Sequence, residues 1–218
     1  MYKRYIKRLI DLILSLTALL ILAIPMLIVS LIIFIDDPGP VIFKQKRAGV
    51  KDTVFDCYKF RSMKMSTPHD VPTHMLSNPE QYITKFGKFM RKMSIDELPQ
   101  IINIIKGDMA IIGPRPALWN QSDLIAERDR YGANDVRPGL TGWAQINGRD
   151  ELEIPVKARL DGEYTEKLNR GGWTAFAMDC RCFVGTFIAV MRHDGVVEGG
   201  TGNKKETETE KEEEVVGK

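Results

Sequence analysis

The pattern of apolar and polar positions is most one-sided near the N-terminus, where Leu12 to Ile35 contains no charged residue. At about 1.5 Å per residue such a helix reaches roughly 36 Å, enough for a hydrocarbon core of about 30 Å. Length alone therefore predicts one spanning helix. Pro25 removes a backbone donor and obstructs the carbonyl four residues back, which predicts a kink. Lys3, Arg4, Lys7 and Arg8 precede the run, and Lys44, Lys46, Arg47 and Lys51 follow it. Basic residues beside a membrane segment favour the cytoplasmic side, and a straight span cannot put both clusters there. A re-entrant hairpin bent at Pro25 competes with the span.

Downstream the pattern breaks into short elements. Met1 to Asp11 reads as an amphipathic start with Tyr2, Ile6, Leu9 and Ile10 on one side, expected to lie in the membrane interface. Asp36-Asp37-Pro38-Gly39-Pro40 stops the apolar helix. Val41 to Phe43 and Thr53 to Tyr58 read as two strands of a hairpin, and Ser66 to Pro79 as loop. Helices are expected over Gln81 to Lys92, Asp96 to Lys106 closed by Gly107, Leu118 to Tyr131 and Glu153 to Leu168, with a short strand at Met109 to Ile112. Trp173 to Arg192 carries apolar residues at Trp173, Phe176, Phe183, Phe187 and Met191, with Arg181 and Arg192 among them and His193 just beyond. A core helix and an interfacial helix fit it equally. Three segments result: residues 1–35 with the apolar helix, one domain over 36–200, and an acidic tail over 201–218 expected to be disordered.

Charge adds little to this picture. Without Lys204 to Lys218, 27 basic and 23 acidic residues remain, a net charge of +4. That suits an anionic membrane surface or phosphate ligands and is too weak to argue for nucleic acid. The three cysteines, Cys57, Cys180 and Cys182, fit a reducing compartment, since the last two would diverge by roughly 200° on a helix. His69, His74 and His193 share no metal-ligand spacing with each other or with the cysteines, which argues against zinc. Neither a phosphate-binding Walker loop nor a Gly-x-Ser-x-Gly elbow occurs.

Candidate chemistry gathers in four short stretches. Ser94-Ile95-Asp96-Glu97-Leu98-Pro99-Gln100 sets two carboxylates at a helix start, where Ser94 and Glu97 could form a capping box. Pro99 leaves Asp96 less explained as a cap, and a helix N-terminus would keep that carboxylate ionised, as a nucleophile or magnesium ligand must be. Gly113-Pro114-Arg115-Pro116 and Arg137-Pro138-Gly139 fix two arginines in rigid backbone. Turns use proline and glycine in this way, but paired guanidinium forks also suit phosphate, and the glycines around Thr141 and Asn147 would admit a ligand close to the main chain. Tyr58-Lys59-Phe60-Arg61-Ser62-Met63 alternates basic and apolar residues, as a strand with one wet face does.

Taken in order, these motifs, with Lys7-Arg8 and Asp11, the apolar run, Lys106-Gly107-Asp108-Met109 and Gly142-Trp143-Ala144-Gln145, resemble the bacterial sugar transferases. More narrowly, the chain is similar to the small monotopic phosphoglycosyl transferases over residues 3 to 193. The resemblance implies an α+β, predominantly helical fold with a re-entrant membrane helix, interfacial amphipathic helices and a small hairpin or sheet around the active site. It implies a place on the cytoplasmic face of a bacterial cytoplasmic membrane, and transfer of a sugar 1-phosphate from a UDP-sugar to a polyprenyl phosphate such as undecaprenyl phosphate, with release of UMP. In that family the aspartate of the Asp-Glu pair is the nucleophile, the place of Asp96, and the glutamate, the place of Glu97, takes part in holding Mg²⁺. Arg91, Arg115, Arg137 and Arg149 match basic residues near the phosphates; Gln145 and Lys59 match positions lining the pocket. One departure is Ile24, which stands where the family usually has a serine before the kinking proline. A glycosyltransferase releasing UDP and a non-catalytic membrane scaffold are the alternatives. The sugar and the oligomeric state, a homodimer included, are left open by residue types.

Overall fold

The protein is represented by a computed structural model that describes residues 1–51, 53–67, 79–148 and 152–192. A π-helical turn at Tyr2–Ile6 runs into α1 (Lys7–Asp36), which continues as helix through Pro25. Leu20, Ile21, Ile24 and Leu27, around that proline, are all more than two-thirds exposed. Both ends of α1, by contrast, are held by the rest of the protein.

At the N-terminal end Arg8 donates to the carbonyls of Ile104 (2.6 Å) and Ile105 (2.8 Å), and Asp11 Oδ1 accepts from the Ile111 amide at 3.1 Å. Lys7 pairs with Asp179 at 2.8 Å, and the Tyr2 hydroxyl donates to the same carboxylate at 2.7 Å. At the C-terminal end Ile33, with Met26 and Val29, packs on Phe60 and Met90, and Arg61 pairs with Asp37 at 2.6 Å. A straight helix of this length would hold its ends about 45 Å apart. The expected amphipathic start divides differently: Tyr2 and Lys7 are buried against the protein, whereas Ile6 and Leu9 are exposed. The network around Asp179 outweighs simple apolar segregation there. In the same helix the Ser30 hydroxyl donates back to the Met26 carbonyl at 2.8 Å, a contact that tends to bend helices.

The hairpin forms as expected, with longer strands. β1 (Ile42–Ala48) pairs antiparallel with β2 (Val54–Phe60), joining Phe43 to Lys59 and Arg47 to Phe55. Residues 44–47, taken above as a basic flank, therefore belong to a strand whose alternate positions are shielded. Helix α2 spans Lys85–Lys92, capped by the Thr84 hydroxyl accepting from the Gly87 amide, and α3 spans Gln100–Lys106. Gly107 closes α3 at φ +97°, a conformation glycine adopts without steric cost.

After α3, β3 (Ala110–Ile112) leads to α4 (Ser122–Asp129) and returns as β4 (Gly139–Thr141), parallel to β3. That second strand has no alternation to announce it. It is held by backbone proximity: a Cβ on Gly139 would lie 2.1 Å from the Gly113 nitrogen, and one on Gly142 2.0 Å from the Gly113 carbonyl oxygen. The glycines expected to admit a ligand here instead let two main chains touch. A short α5 (Trp143–Ile146), α6 (Ile154–Arg170) and α7 (Gly172–Arg192) complete the domain. Ala175, Met178 and Cys182 of α7 join the core with Trp143, Tyr164 and Leu168, while Trp173, Phe187 and Met191 are more than 60% exposed. Helix α7 is thus a core helix on one face, with an apolar face left outward. The tail and most of the 66–79 loop lie outside the described residues.

Candidate active site

Strand β2 and the turn before α3 build the site. Each residue of the Tyr58-to-Ser62 stretch has its own partner. Lys106 lies over the Tyr58 ring, Lys59 reaches Glu97 at 2.9 Å, Phe60 enters the core, Arg61 holds Asp37, and Ser62 accepts from Arg91 Nε at 2.8 Å. The expected wet strand face is in fact a row of ion pairs and hydrogen bonds.

The carboxylates do not sit at the start of a long helix. Ile95–Glu97 forms a separate 3₁₀ turn, and α3 begins at Gln100, after Pro99. Ser94 adopts φ +54°, ψ +23°, a left-handed conformation costing an L-residue about 1–2 kcal/mol. Its side chain makes no capping bond, and Glu97 points away toward cations, so the capping box does not form. Glu97 Oε1 accepts from Lys59 at 2.9 Å and Arg115 Nη2 at 2.5 Å, and Oε2 faces Arg115 Nη1 at 3.3 Å. Burial opposes charge on this group, but Arg115 and then Lys59 outweigh it and hold Glu97 well below the usual carboxylate range.

Asp96 behaves oppositely. It is buried, and among the described residues no side chain or amide donates a hydrogen bond to its carboxylate. Burial pushes its carboxyl up, Glu97 adds to that, and Lys59, Arg91 and Arg115 pull it down without cancelling the rise. The expectation that a helix N-terminus favours the ionised form of Asp96 is therefore corrected: the helix starts four residues later, and burial raises the carboxyl against the opposing pull of Lys59, Arg91 and Arg115.

A family model described as "Bacterial sugar transferase" matches residues 2–193. The chain is a bacterial sugar transferase. Among related proteins, the "Uncharacterized sugar transferase EpsL" of Bacillus subtilis is 36% identical over 191 residues, covering 88% of this chain and 90% of that protein. The Escherichia coli "UDP-glucose:undecaprenyl-phosphate glucose-1-phosphate transferase" is 39% identical over 174 residues, 74% of this chain but 36% of its own length. The Salmonella typhimurium "Undecaprenyl-phosphate galactose phosphotransferase" is 34% identical over 206 residues, 88% of this chain and 42% of its own length. The transferase thus spans nearly the whole Bacillus protein and less than half of the two enteric ones.

Of the residues expected at the transferase's site, Lys59, Asp96, Glu97 and Arg115 meet, and Arg91 is near enough to lower the Asp96 carboxyl. Arg137 does not join them: its main chain lies against Gly113, but its side chain is exposed. Gln145 lines a different part of the site, a cavity of about 170 Å³ shared with Arg115. Arg149 lies outside the described residues.

Sequence reasoning missed Arg47 and Lys157, which line that cavity too, and Asn103, which ties β2 to α3. The alternation Phe43, Gln45, Arg47 against Lys44, Lys46 was the available signal for the first. Among the described residues no three His, Cys, Asp or Glu side chains gather to hold a metal by themselves. Two neighbouring carboxylates nonetheless suit Mg²⁺, which takes one or two protein carboxylates and fills its shell with phosphate oxygens and water.

Proposed function

We propose that this enzyme transfers a sugar 1-phosphate from a UDP-sugar to a polyprenyl phosphate such as undecaprenyl phosphate, through a covalent phosphosugar on Asp96. The observation that carries the reading is the unequal treatment of two adjacent carboxylates. Glu97 is committed to Lys59 and Arg115, whereas Asp96 is buried, without a hydrogen bond among the described residues, and surrounded by cations. A desolvated carboxylate that keeps its lone pairs is a good nucleophile.

In the first displacement an Asp96 oxygen attacks the β-phosphorus, and the bond from that phosphorus to the bridging oxygen breaks, so UMP departs with the bridging oxygen. In the second, an oxygen of the polyprenyl phosphate attacks the same phosphorus and the Asp96–phosphorus bond breaks, which restores the carboxylate. Lys59, Arg91 and Arg115 offset the charge of the diphosphate as it enters. Mg²⁺, held by Glu97 with Asp96, would supply further charge neutralisation.

The same reading makes α1 a re-entrant helix whose two ends stay on the cytoplasmic face. Support comes from the attachment of both Arg8 and Ile33 to one domain, with the apolar middle around Pro25 exposed. The outward faces of α1 and α7 would then be lipid contacts, and the soluble nucleotide and the lipid phosphate could both reach Asp96.

Product analysis tests the chemistry. With a UDP-sugar donor and undecaprenyl phosphate, UMP is expected; release of UDP instead would mark transfer of the sugar without its phosphate and overturn the proposal.

A further inference from the structure

One helix reaches both halves of the site. Near the start of α1, Asp11 is buried and accepts from the Ile111 amide at 3.1 Å, in the middle of β3. Near its end, Ile33 forms one apolar cluster with Phe60 and Met90, and Ile95 and Leu98, the residues that flank Asp96 and Glu97, pack against that cluster. Between these two attachments Leu20, Ile21, Ile24 and Leu27 are exposed.

Asp11 holds the strand that aims Arg115. The Gly113 amide donates to the Thr141 carbonyl and the Gly139 amide to the Pro114 carbonyl, each at 2.8 Å, so β3 and β4 move as one unit. Prolines on both sides of Arg115 restrict the backbone on which it stands. The ties of this small sheet to the surrounding helices include Asp11 on the Ile111 amide and the Tyr164 hydroxyl, which donates to the Ile112 carbonyl at 3.0 Å. A shift of β3 at Ile111 therefore carries through to the Arg115 guanidinium.

Ile33 supports the turn that carries the carboxylates. Ser94 enters that turn at φ +54°, a left-handed conformation that a non-glycine residue keeps only where its surroundings impose it. Ile95 and Leu98 supply that hold through the cluster of Ile33, Phe60 and Met90, all three of them buried. Phe60 also follows Lys59 along β2, so the second cation on Glu97 rests on the same support.

We infer that Asp11 and Ile33 are positioning residues for the reaction: α1 sets the strand bearing Arg115 against the turn bearing Asp96 and Glu97. The inference rests on the proposed phosphosugar transfer and goes beyond it, since it gives the apolar helix a part in the chemical step. Arg115 meets Glu97 at 2.5 Å, so a small displacement of either half opens the clamp. Rates that depend on aligned charge fall steeply with such displacement. Contacts to the donor away from the reacting phosphorus are left intact, so the loss belongs in kcat and not in KM.

Steady-state rates of the full-length, detergent-solubilised protein with Mg²⁺, a UDP-sugar and undecaprenyl phosphate test this through a double-mutant cycle. Asp11→Leu and Ile33→Ala should each lower kcat by about tenfold or more, with KM for the UDP-sugar kept within about twofold. Asp11→Asn, whose amide oxygen can still accept from Ile111, should recover most of the lost rate, and Leu20→Ala, on the exposed middle of the same helix, should match the wild type. In an Arg115→Met background Asp11→Leu should cost less than about twofold, because the residue it positions is gone. Losses that multiply in the double variant, or an Asp11→Asn protein as slow as Asp11→Leu, would overturn the positioning and leave phosphosugar transfer standing. Hydrogen exchange gives a readout that needs no turnover. Ile33→Ala should speed exchange of the amides of residues 95–98 while those of α6 stay protected, and uniform loosening of the domain would likewise overturn the positioning. A wild-type protein that releases UDP in place of UMP would overturn the transfer reading, and the same cycle read on that product would still judge the positioning.

Discussion

The Arg115 guanidinium spans both oxygens of Glu97, at 2.5 and 3.3 Å, while Asp96 one residue earlier receives no such clamp among the described residues. In the proposed mechanism this asymmetry divides the work of the pair. Arg115 and Lys59 hold Glu97 ionised, whereas Asp96 is buried with no such donor among the described residues.

Because burial raises the Asp96 carboxyl above the ordinary aspartate value, the ionised carboxylate that the proposed mechanism requires is lost at a higher pH than usual as the solution is acidified. The rate should fall on the acid side through that raised value. Lys59→Met removes the strongest influence lowering it, so the acid limb of the kcat/KM profile should move to higher pH. A limb that stays in place would show that Lys59 does not set the charge state of Asp96.

Arg128 and Asp161 form a buried pair, with Nη2 and Nε of Arg128 at 2.5 and 2.8 Å from one carboxylate oxygen. Arg128→Met leaves Asp161, whose carboxyl burial already pushes up, without its counter-ion. Loss of about 3–5 kcal/mol of stability is expected at neutral pH. The sign follows from the raised value: the uncompensated charge costs most above it and disappears as Asp161 protonates, so the deficit should shrink on acidification. Chemical denaturation at two pH values measures it.

Asn103 has no exposed surface and makes three side-chain contacts: it accepts from the Tyr58 amide at 2.9 Å and donates to the Asp56 carbonyl at 2.8 Å and Asp108 at 3.1 Å. It sets β2 against α3, and so Lys59 against Glu97. Asn103→Leu strands the Tyr58 amide and the Asp56 carbonyl, which should cost about 2–4 kcal/mol. Turnover should fall further than the folded fraction does, read by comparing kcat with the fraction folded.

Gly142 approaches Gly113 so closely that any Cβ would meet its carbonyl oxygen at 2.0 Å, and backbone cannot yield as a side-chain tip can. Gly142→Ala should separate β3 from β4 and destabilise the protein by about 3 kcal/mol or more. Gly171→Ala is the contrast: a Cβ there has nothing within 4 Å, and only the strain of φ +72° opposes it.

Much of this was legible in sequence where one element carries its own signal. The apolar run, the hairpin, the helices over 154–170 and 172–192 and the Asp96-Glu97 pair all announce themselves locally. What periodicity cannot give is which elements meet. Strand β4 is three residues long and defined by its approach to Gly113, 26 residues earlier, so no local pattern marks it. Arg115 and Arg137 look alike in sequence, each beside proline with a glycine near, yet one closes on Glu97 and the other is exposed. Lys157, on a polar-looking helix face, owes its place to the packing of α6 across the cavity. In the turn before α3, local logic favoured a capping box, and the long-range pull of Lys59 and Arg115 on Glu97 overrode it.

Intact-mass measurement after incubation with Mg²⁺ and a UDP-sugar, without lipid acceptor, tests the central claim most directly. The wild-type protein should gain the mass of one sugar phosphate. Asp96→Asn should gain nothing, and adding polyprenyl phosphate should discharge the wild-type adduct. Full turnover by Asp96→Asn, or an adduct that persists in that variant, would contradict the account.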